Sequence, residues 1–184
     1  TNAGGPGIMA ADFIEKQGLC FATASDETVE KLKSKLPPAA NFYNPFDVLG
    51  DALADRYEFA IDVVLDEPDV DAVLVLLTPQ AMTEAGATAE AIVKISKKNC
   101  GKPILACFMG GSKVAEAQKV LREGKIPQYD SPESAVATIK VMSDYVKWRS
   151  RPKRVVKLFP VNRRKVEAII ERHLRQGIKE IAES

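Results

Sequence analysis

Three segments, two of them rich in glycine, stand where a strand is expected to meet a helix, a place where proteins bind anions. The first opens the chain as TNAGGPGIM. Gly5 and Gly7 allow a ligand close to the backbone, Pro6 suits a first helical position, and the amides of Gly7, Ile8 and Met9 can point outward. The segment matches neither G-x-G-x-x-G nor the Walker A pattern. A glycine turn that only fits a tight strand-to-helix corner explains it equally well.

Two further segments have the same position in the pattern. Residues 78–83 (TPQAMT) follow one apolar run, and residues 108–112 (FMGGS) follow another. Ligands of open parallel sheets bind outside the carboxyl ends of the strands, so all three segments are expected at one edge. For Gly110 and Gly111 taken alone, a turn with Ser112 as the helix cap is the favoured interpretation.

A long connection at residues 36–51 is a fourth candidate, since long loops are often functional. It contains an N-P-x-D turn made by Asn44, Pro45 and Asp47. Asp47 contacts a ligand or partner on one interpretation, and bonds its own backbone in an Asx turn on the other.

The sequence offers few candidates for a catalytic side chain. The one histidine, His173, lies on or beside the apolar face of the last helix, where packing is the commoner role. Cys20, Cys100 and Cys107 have neither metal nor redox spacing, and no His/Cys/carboxylate cluster predicts a metal site. The chain is therefore expected to bind a phosphate without reacting with it.

The elements that would position these segments alternate between strand and helix. Continuous apolar runs at 71–78 and 103–109 are typical of strands covered on both faces. The predicted strands are 19–24, 71–78, 103–109 and 126–129, and the predicted helices after the long loop are 51–66, 83–98, 112–122 and 132–145, with Ser131 as the N-cap of the last. This alternation predicts an α/β fold, a flavodoxin-like or Rossmann-like doubly wound, mostly parallel sheet with helices on both faces.

Both ends of the chain differ from this pattern. No strand precedes the first glycines, so the strand that feeds them is expected upstream on a longer polypeptide. Residues 152–159 form a predicted basic linker, and Asn162 is expected to cap an amphipathic helix whose apolar face is Val166, Ile169, Ile170 and Leu174.

Length and charge limit the function classes. The 184 residues suffice for one domain and an appended segment. From Lys147 onward there are 12 Lys/Arg and 4 Asp/Glu, against 14 and 21 before it. The basic tail carries no nucleic-acid-binding motif, so a solvated linker is favoured over a nucleic-acid site. Without a membrane-length apolar run or a signal-peptide pattern, a soluble cytoplasmic protein is expected.

Five stretches in order carry a family resemblance. TNAGGPGIMAAD, NPFDVLGDA, VDAVLVLLTPQAMT, KPILACFMGG and IPQYDSPESAV resemble the C-terminal flavodoxin-like ligase domain of ADP-forming (NDP-forming) acyl-CoA synthetases, of the succinyl-CoA synthetase superfamily. The resemblance covers residues 1–146. Residues 147–184 resemble the connection toward an ATP-grasp module.

The resemblance implies a divided enzyme that uses ATP/ADP, CoA, phosphate and Mg²⁺. The implied partners are upstream CoA-binding and ligase domains and an ATP-grasp domain or subunit, and an oligomer is implied as well. The ligase domain carries a histidine that is phosphorylated in turnover. Neither nucleic acid nor a membrane is an implied partner. Acyl-CoA, phosphate and ADP are interconverted with acid, CoA and ATP. The catalytic histidine is not in this chain, which is expected to be inactive alone, and the acyl group is left open.

On this resemblance, the helix that begins at Pro6 faces the phosphohistidine. The residues implied around the phosphoryl oxygens are Gly4, Gly5, Gly7 and Ile8. The residues expected at the rim of the site are Asn2, Asn44, Asp47, Thr78, Gln80, Gly110 and Gly111. Two other functions remain: a regulatory synthetase-like domain of a protein acetyltransferase without ligase activity, and an interaction domain without a phosphate site.

Overall fold

Helices and short strands alternate along the chain in the computed structural model, which describes residues 1–98, 101–152 and 162–178. The elements in order are α1 (Gly4–Lys16), α2 (Asp26–Lys33), α3 (Ala54–Leu65), β1 (Val73–Leu77), α4 (Ala85–Lys98), β2 (Ile104–Phe108), a 3₁₀ helix (Gly111–Val114), α5 (Ala115–Glu123), β3 (Gln128–Tyr129), α6 (Pro132–Arg149) and α7 (Arg163–Arg175). The unit that contains the sheet spans Thr1–Arg149.

The sheet of this unit is parallel, in the order β1-β2-β3 within the described residues. Val73 pairs with Ile104 and Leu77 with Phe108, so the two apolar runs are in register over their full length. The predicted α/β fold with a flavodoxin-like, doubly wound parallel arrangement is confirmed.

Helices cover both faces of the sheet because both faces of its strands are apolar. Val75 and Phe108 belong to the larger buried cluster, together with residues of α3, α4 and α5. Leu76 and Cys107 point the other way, into a cluster with Ala10 of α1 and Ala135 of α6. This alternation of side chains follows from the pleat of a strand and explains the continuous apolar sequences.

Most helix boundaries follow the sequence signals. Ser25 caps α2 by accepting a hydrogen bond from the amide of Thr28 at 3.2 Å. Ser131 accepts from the amide of Ser134 at 3.3 Å, directly before Pro132 opens α6. Ser112 is not a cap: Gly110 precedes the 3₁₀ helix, and neither it nor Val114 before α5 makes a side-chain capping bond.

The predicted strand at residues 19–24 is absent from the structure. Those residues have neither helical nor strand structure. A strand requires a hydrogen-bonded neighbour, and the nearest sheet edge, that of β1, lies across a cavity that both segments line. The strand-like sequence of residues 19–24 was therefore not sufficient for pairing with a neighbouring strand.

The second described unit contains α7. Asn162 caps it, since its side-chain oxygen accepts from the amide of Lys165 at 3.2 Å, as the sequence predicted. The linker predicted at 152–159 falls almost wholly outside the described residues. Among the helices of the described ranges, none combines the length and apolarity needed to cross a bilayer.

Candidate functional site

The loops at the carboxyl ends of β1 and β2 form one continuous rim with the start of α1. The amide of Met109, which follows β2, donates to the carbonyl of Leu77 at 2.9 Å. Thr78, which follows β1, is bonded to Asn2, and Pro79 lies against Gly110. The predicted gathering of the three segments at one edge thus corresponds to direct contacts between neighbouring loops.

Helix α1 begins two residues earlier than the sequence analysis expected, at Gly4 rather than Pro6, with Ala3 as its N-cap. The amide of Gly7 consequently lies inside the helix and donates to the Ala3 carbonyl at 3.4 Å. Pro6 has no N–H to offer, and the amide of Ala3 donates to Thr1 Oγ1 at 3.1 Å.

Gly4 and Gly5 therefore provide the free amides at this end of the helix, because the first amides of a helix have no intrahelical acceptor. Both glycines are exposed, and no side chain caps the helix. A Cβ atom on Gly5 would have no heavy atom within 4 Å. The amides predicted to point outward from Gly7, Ile8 and Met9 are instead helical, which corrects the expected donor set.

Gly7 has a packing role. It is buried, and a Cβ atom there would lie 3.2 Å from Thr1 Cγ2 and 3.6 Å from the ring of Pro45. Pro45 follows a cis peptide bond in a turn closed by paired backbone hydrogen bonds between Asn41 and Asp47, at 3.0 and 3.1 Å. The long loop is thus a wall of the rim, packed against the first turn of α1.

The contacts of Asp47 match the Asx-turn interpretation and leave its second carboxylate oxygen facing the start of α1. Its Oδ1 accepts from the amide of Leu49 at 2.9 Å, which is the Asx turn. Its Oδ2 faces Gly4, at 3.8 Å from the position of a Cβ atom there. A carboxylate at this point repels an anion, so the open side of the helix end is the Gly5 side. Asn44, by contrast, is exposed and its side-chain amide donates to the Ala22 carbonyl at 2.8 Å.

Asn2 fastens the start of α1 to the end of β1. It is 1% exposed, its Nδ2 donates to the carbonyl of Thr78, and its Oδ1 accepts from the amide of Thr78, both at 2.9 Å. These bonds engage both Nδ2 and Oδ1 of a buried side chain, so Asn2 positions the rim. Thr78 Oγ1 is buried and has no hydrogen-bond partner among the described residues.

Tyr57 supports the same junction from α3, which is the helix predicted at 51–66. Its hydroxyl donates to the carbonyl of Leu76 at 2.9 Å, and the residue is 2% exposed. Burial raises the pKa of Tyr57 above its ordinary value, so the hydroxyl keeps its proton. The signal in the sequence was a tyrosine among aliphatic residues, since a buried hydroxyl needs a partner.

Gly110 and Gly111 differ in backbone conformation and in the space around them. Gly110 has φ of 143°, and a Cβ atom there would lie 2.5 Å from Pro79 Cγ; Gly111 has φ of 57° and no atom within 4 Å of its Cβ position. The following 3₁₀ helix is too short to bind an anion at its start. Gln80 packs nearby, with its Cγ 3.6 Å from the Cβ position of Gly50.

Gly110→Ala is expected to reduce the free energy of unfolding by about 2 kcal/mol, because it combines a disallowed φ with overpacking against Pro79. Gly111→Ala is the matched control, with a left-handed φ but free space, and should lose only about 1 kcal/mol. Urea unfolding of both variants measures the difference. Equal losses of unfolding free energy would mean that Pro79 does not crowd a methyl group added at Gly110.

His173 and Cys107 each have a local environment that accounts for the side chain. His173 Nδ1 is hydrogen-bonded to the carbonyl of Ile169 in its own helix, at 2.8 Å. Cys107 is fully buried in β2, and burial raises the pKa of its thiol to about 12. Cys100 lies outside the described residues. In the described part of the chain, no group of three or more His, Cys, Asp or Glu residues could hold a metal ion.

The arrangement can bind an anionic group through backbone dipoles alone. The start of α1 carries a partial positive charge of roughly half an elementary charge, directed at the rim. The nearby carboxylate of Asp47 opposes it, and the guanidinium of Arg56 is bound to Asp51 and the Val48 carbonyl. A surface of this kind can hold an anion such as phosphate through backbone amides, without a reacting side chain.

The sequence matches a family model and is similar to several named CoA ligases. The family model for the Ligase-CoA domain matches residues 1–155. An ADP-forming acetate–CoA ligase from Archaeoglobus fulgidus is 40% identical over 96% of the chain, and a 4-hydroxybutyrate–CoA ligase (ADP-forming) from Nitrosopumilus maritimus is 33% identical over 93%.

A solved structure has the same fold. The dinucleotide-forming acetyl-coenzyme A synthetase 1 of Ca. Korarchaeum cryptofilum, in complex with phosphate and ADP, superposes on 81% of the chain with a TM-score of 0.75 and 33% identity. The chain spans 25% and 24% of the two curated relatives and 32% of the solved chain.

Proposed function

The chain belongs to the Ligase-CoA domain family, and on that premise we propose that it is the phosphate-facing part of an ADP-forming acyl-CoA synthetase. The complete enzyme would interconvert acyl-CoA, ADP and phosphate with acid, CoA and ATP. The relatives named as ADP-forming CoA ligases support this reaction class.

One observation carries the proposal for this chain. Gly4 and Gly5 present the first amides of α1, exposed and without side chains, at the rim formed by the strand ends. Amides fixed by a helix are already oriented before the reaction, so they stabilise charge on a transferring phosphoryl group without reorganising. The similarity to a synthetase whose structure holds phosphate and ADP supports phosphate as a ligand of the complete enzyme.

The proposed chemistry divides between modules. The phosphorylated histidine would come from a preceding ligase domain, as the family resemblance implies. The nucleotide would bind to an ATP-grasp domain or subunit. We assign Mg²⁺ to those modules as well, since the described residues offer no cluster of ligands for it.

The test is a labelling experiment on the full polypeptide that carries this chain. With ATP labelled in the γ-phosphate and Mg²⁺, the complete enzyme should take up label on a histidine and release it as ATP when ADP is added. In the reverse direction, a panel of acyl-CoAs with ADP and phosphate should yield ATP. The 184-residue chain alone should take up no label.

Two outcomes would contradict the proposal. Label on the isolated chain would place the nucleophile here, against the assignment of a non-reacting role. An acyl-CoA that binds to the full polypeptide without any ATP formation or histidine label would favour the regulatory, non-ligase alternative instead.

A further inference from the structure

The carboxylate of Asp47 has a fixed position beside the start of α1. Paired backbone hydrogen bonds with Asn41, at 3.0 and 3.1 Å, hold the residue, and its Oδ1 accepts from the Leu49 amide at 2.9 Å. Its Oδ2 lies 3.8 Å from the position of a Cβ atom on Gly4. The Asx turn therefore uses one carboxylate oxygen and leaves the other beside the helix end at which Gly4 and Gly5 present their amides.

The charge of Asp47 is not balanced by a side-chain cation. Among the described residues, no lysine or arginine forms an ion pair with it, and Arg56 is bound to Asp51 and to the Val48 carbonyl. Burial raises the pKa of Tyr57, and the Asp47 carboxylate raises it further, so this charge acts on the junction of α1 and β1. A half-buried carboxylate of this kind is available to accept a hydrogen bond from a ligand.

A carboxylate at an anion site distinguishes anions by whether they carry a proton. An ionised carboxylate accepts hydrogen bonds, cannot donate them, and repels a bare anionic oxygen. Inorganic phosphate keeps at least one proton at neutral pH, so one of its oxygens can donate while the others accept from amides. Sulfate has the same shape and keeps no proton. Repulsion of the wrong ligand is one of the two ways in which a site becomes specific.

We propose that Asp47 is a specificity-determining residue, whose Oδ2 accepts a hydrogen bond from the protonated oxygen of hydrogen phosphate while the amides of Gly4 and Gly5 donate to its other oxygens. This role rests on the proposed function, because the phosphate concerned is that of the same reaction at the same helix end. The amides attract any small oxyanion, and Asp47 rejects those without a proton. An O–H group that donates to a carboxylate forms one of the stronger hydrogen bonds in proteins.

Asp47→Asn changes the atom that faces α1 and keeps the turn. The asparagine oxygen can still accept from the Leu49 amide, so the Asx turn persists. The NH₂ group then takes the place of Oδ2 and donates a hydrogen bond instead of accepting one. Asp51→Asn is the matched control, because Asp51 belongs to the same loop, is exposed, and is paired with Arg56 at 2.7 Å.

The experiment measures ATP formation by the full polypeptide from ADP, phosphate and the acyl-CoA that the panel identifies, with sulfate as a competitor of phosphate. In the wild type and in Asp51→Asn, the inhibition constant of sulfate should exceed the KM for phosphate by about tenfold or more. In Asp47→Asn this ratio should fall by about tenfold, because asparagine donates to an unprotonated oxygen. Urea unfolding of both variants checks that they are folded.

An unchanged ratio in an Asp47→Asn enzyme that forms ATP would overturn the proposal for Asp47 and leave the proposed function standing. Sulfate that inhibits the wild type as well as phosphate binds would overturn it too.

Calorimetric titration of the full polypeptide with phosphate and with sulfate decides the case in which Asp47→Asn, or the wild type itself, forms no ATP. The dissociation constants of the two anions then replace the kinetic ratio. Equal ratios in the wild type and in Asp47→Asn, or a wild type that binds no phosphate, would again overturn the proposal for Asp47. A wild type that forms no ATP from any acyl-CoA would contradict the proposed function by itself, whatever the two titrations show.

Discussion

Gly5→Val in the full enzyme is expected to reduce ATP formation from acyl-CoA, ADP and phosphate by about 100-fold or more, the loss typical of removing an oriented donor from a charged transition state. The isopropyl group would occupy the open space in front of the first amides of α1, where no heavy atom outside the adjacent helix backbone lies within 4 Å of the Cβ position. The helix itself should tolerate valine, because glycine is the poorer helix former.

Gly86→Val is the matched control for this variant. Gly86 is likewise the second residue of a helix, α4, it is exposed, and a Cβ atom there would also have no atom within 4 Å. Both variants should show wild-type thermal unfolding, and only Gly5→Val should lose the phosphoryl transfer. Equal activities of the two variants would show that the start of α1 does not contact the phosphoryl group.

Asn2→Ala is expected to reduce the free energy of unfolding by about 3 kcal/mol. The substitution leaves both the amide and the carbonyl of Thr78 without their partner in a buried junction, and each unsatisfied group costs about 1–3 kcal/mol. Urea unfolding monitored by circular dichroism measures the loss. Because Asn2 links α1 to the end of β1, ATP formation should fall as well, even under conditions in which the variant is folded.

Asn44→Ala provides the comparison for Asn2→Ala. Asn44 is exposed, and its one side-chain hydrogen bond goes to the carbonyl of Ala22, which water can replace. The Asn44→Ala variant should lose less than about 1 kcal/mol of unfolding free energy. If the two variants unfolded at the same urea concentration, the Asn2 bonds would not hold the rim together.

The sequence predicted the framework well where local signals agree with packing. The runs at 71–78 and 103–109 became β1 and β2 because a strand with helices on both faces needs apolar residues on both sides of the pleat. The predicted caps Ser131 and Asn162 form because each side-chain oxygen is within reach of a free amide in the next turn.

Prediction was weaker wherever a residue's role depends on a distant neighbour. Asn2 was expected at the rim as a ligand candidate, but its partner is the backbone of Thr78, far along the chain. The segment 19–24 was predicted as a strand on composition, yet no neighbouring strand pairs with it. Gly110 resembles any turn glycine until Pro79 is seen against it.

The sequence by itself determined the alternation of strands and helices, the family and the edge at which the glycine loops gather, since these follow from local patterns of apolar and small residues. Only the tertiary structure decided which amides are free, which glycine makes room for a proline and which side chain fastens the start of α1 to the end of β1. Those features depend on the register of α1 relative to β1 and on contacts between residues remote in sequence, which no local pattern encodes.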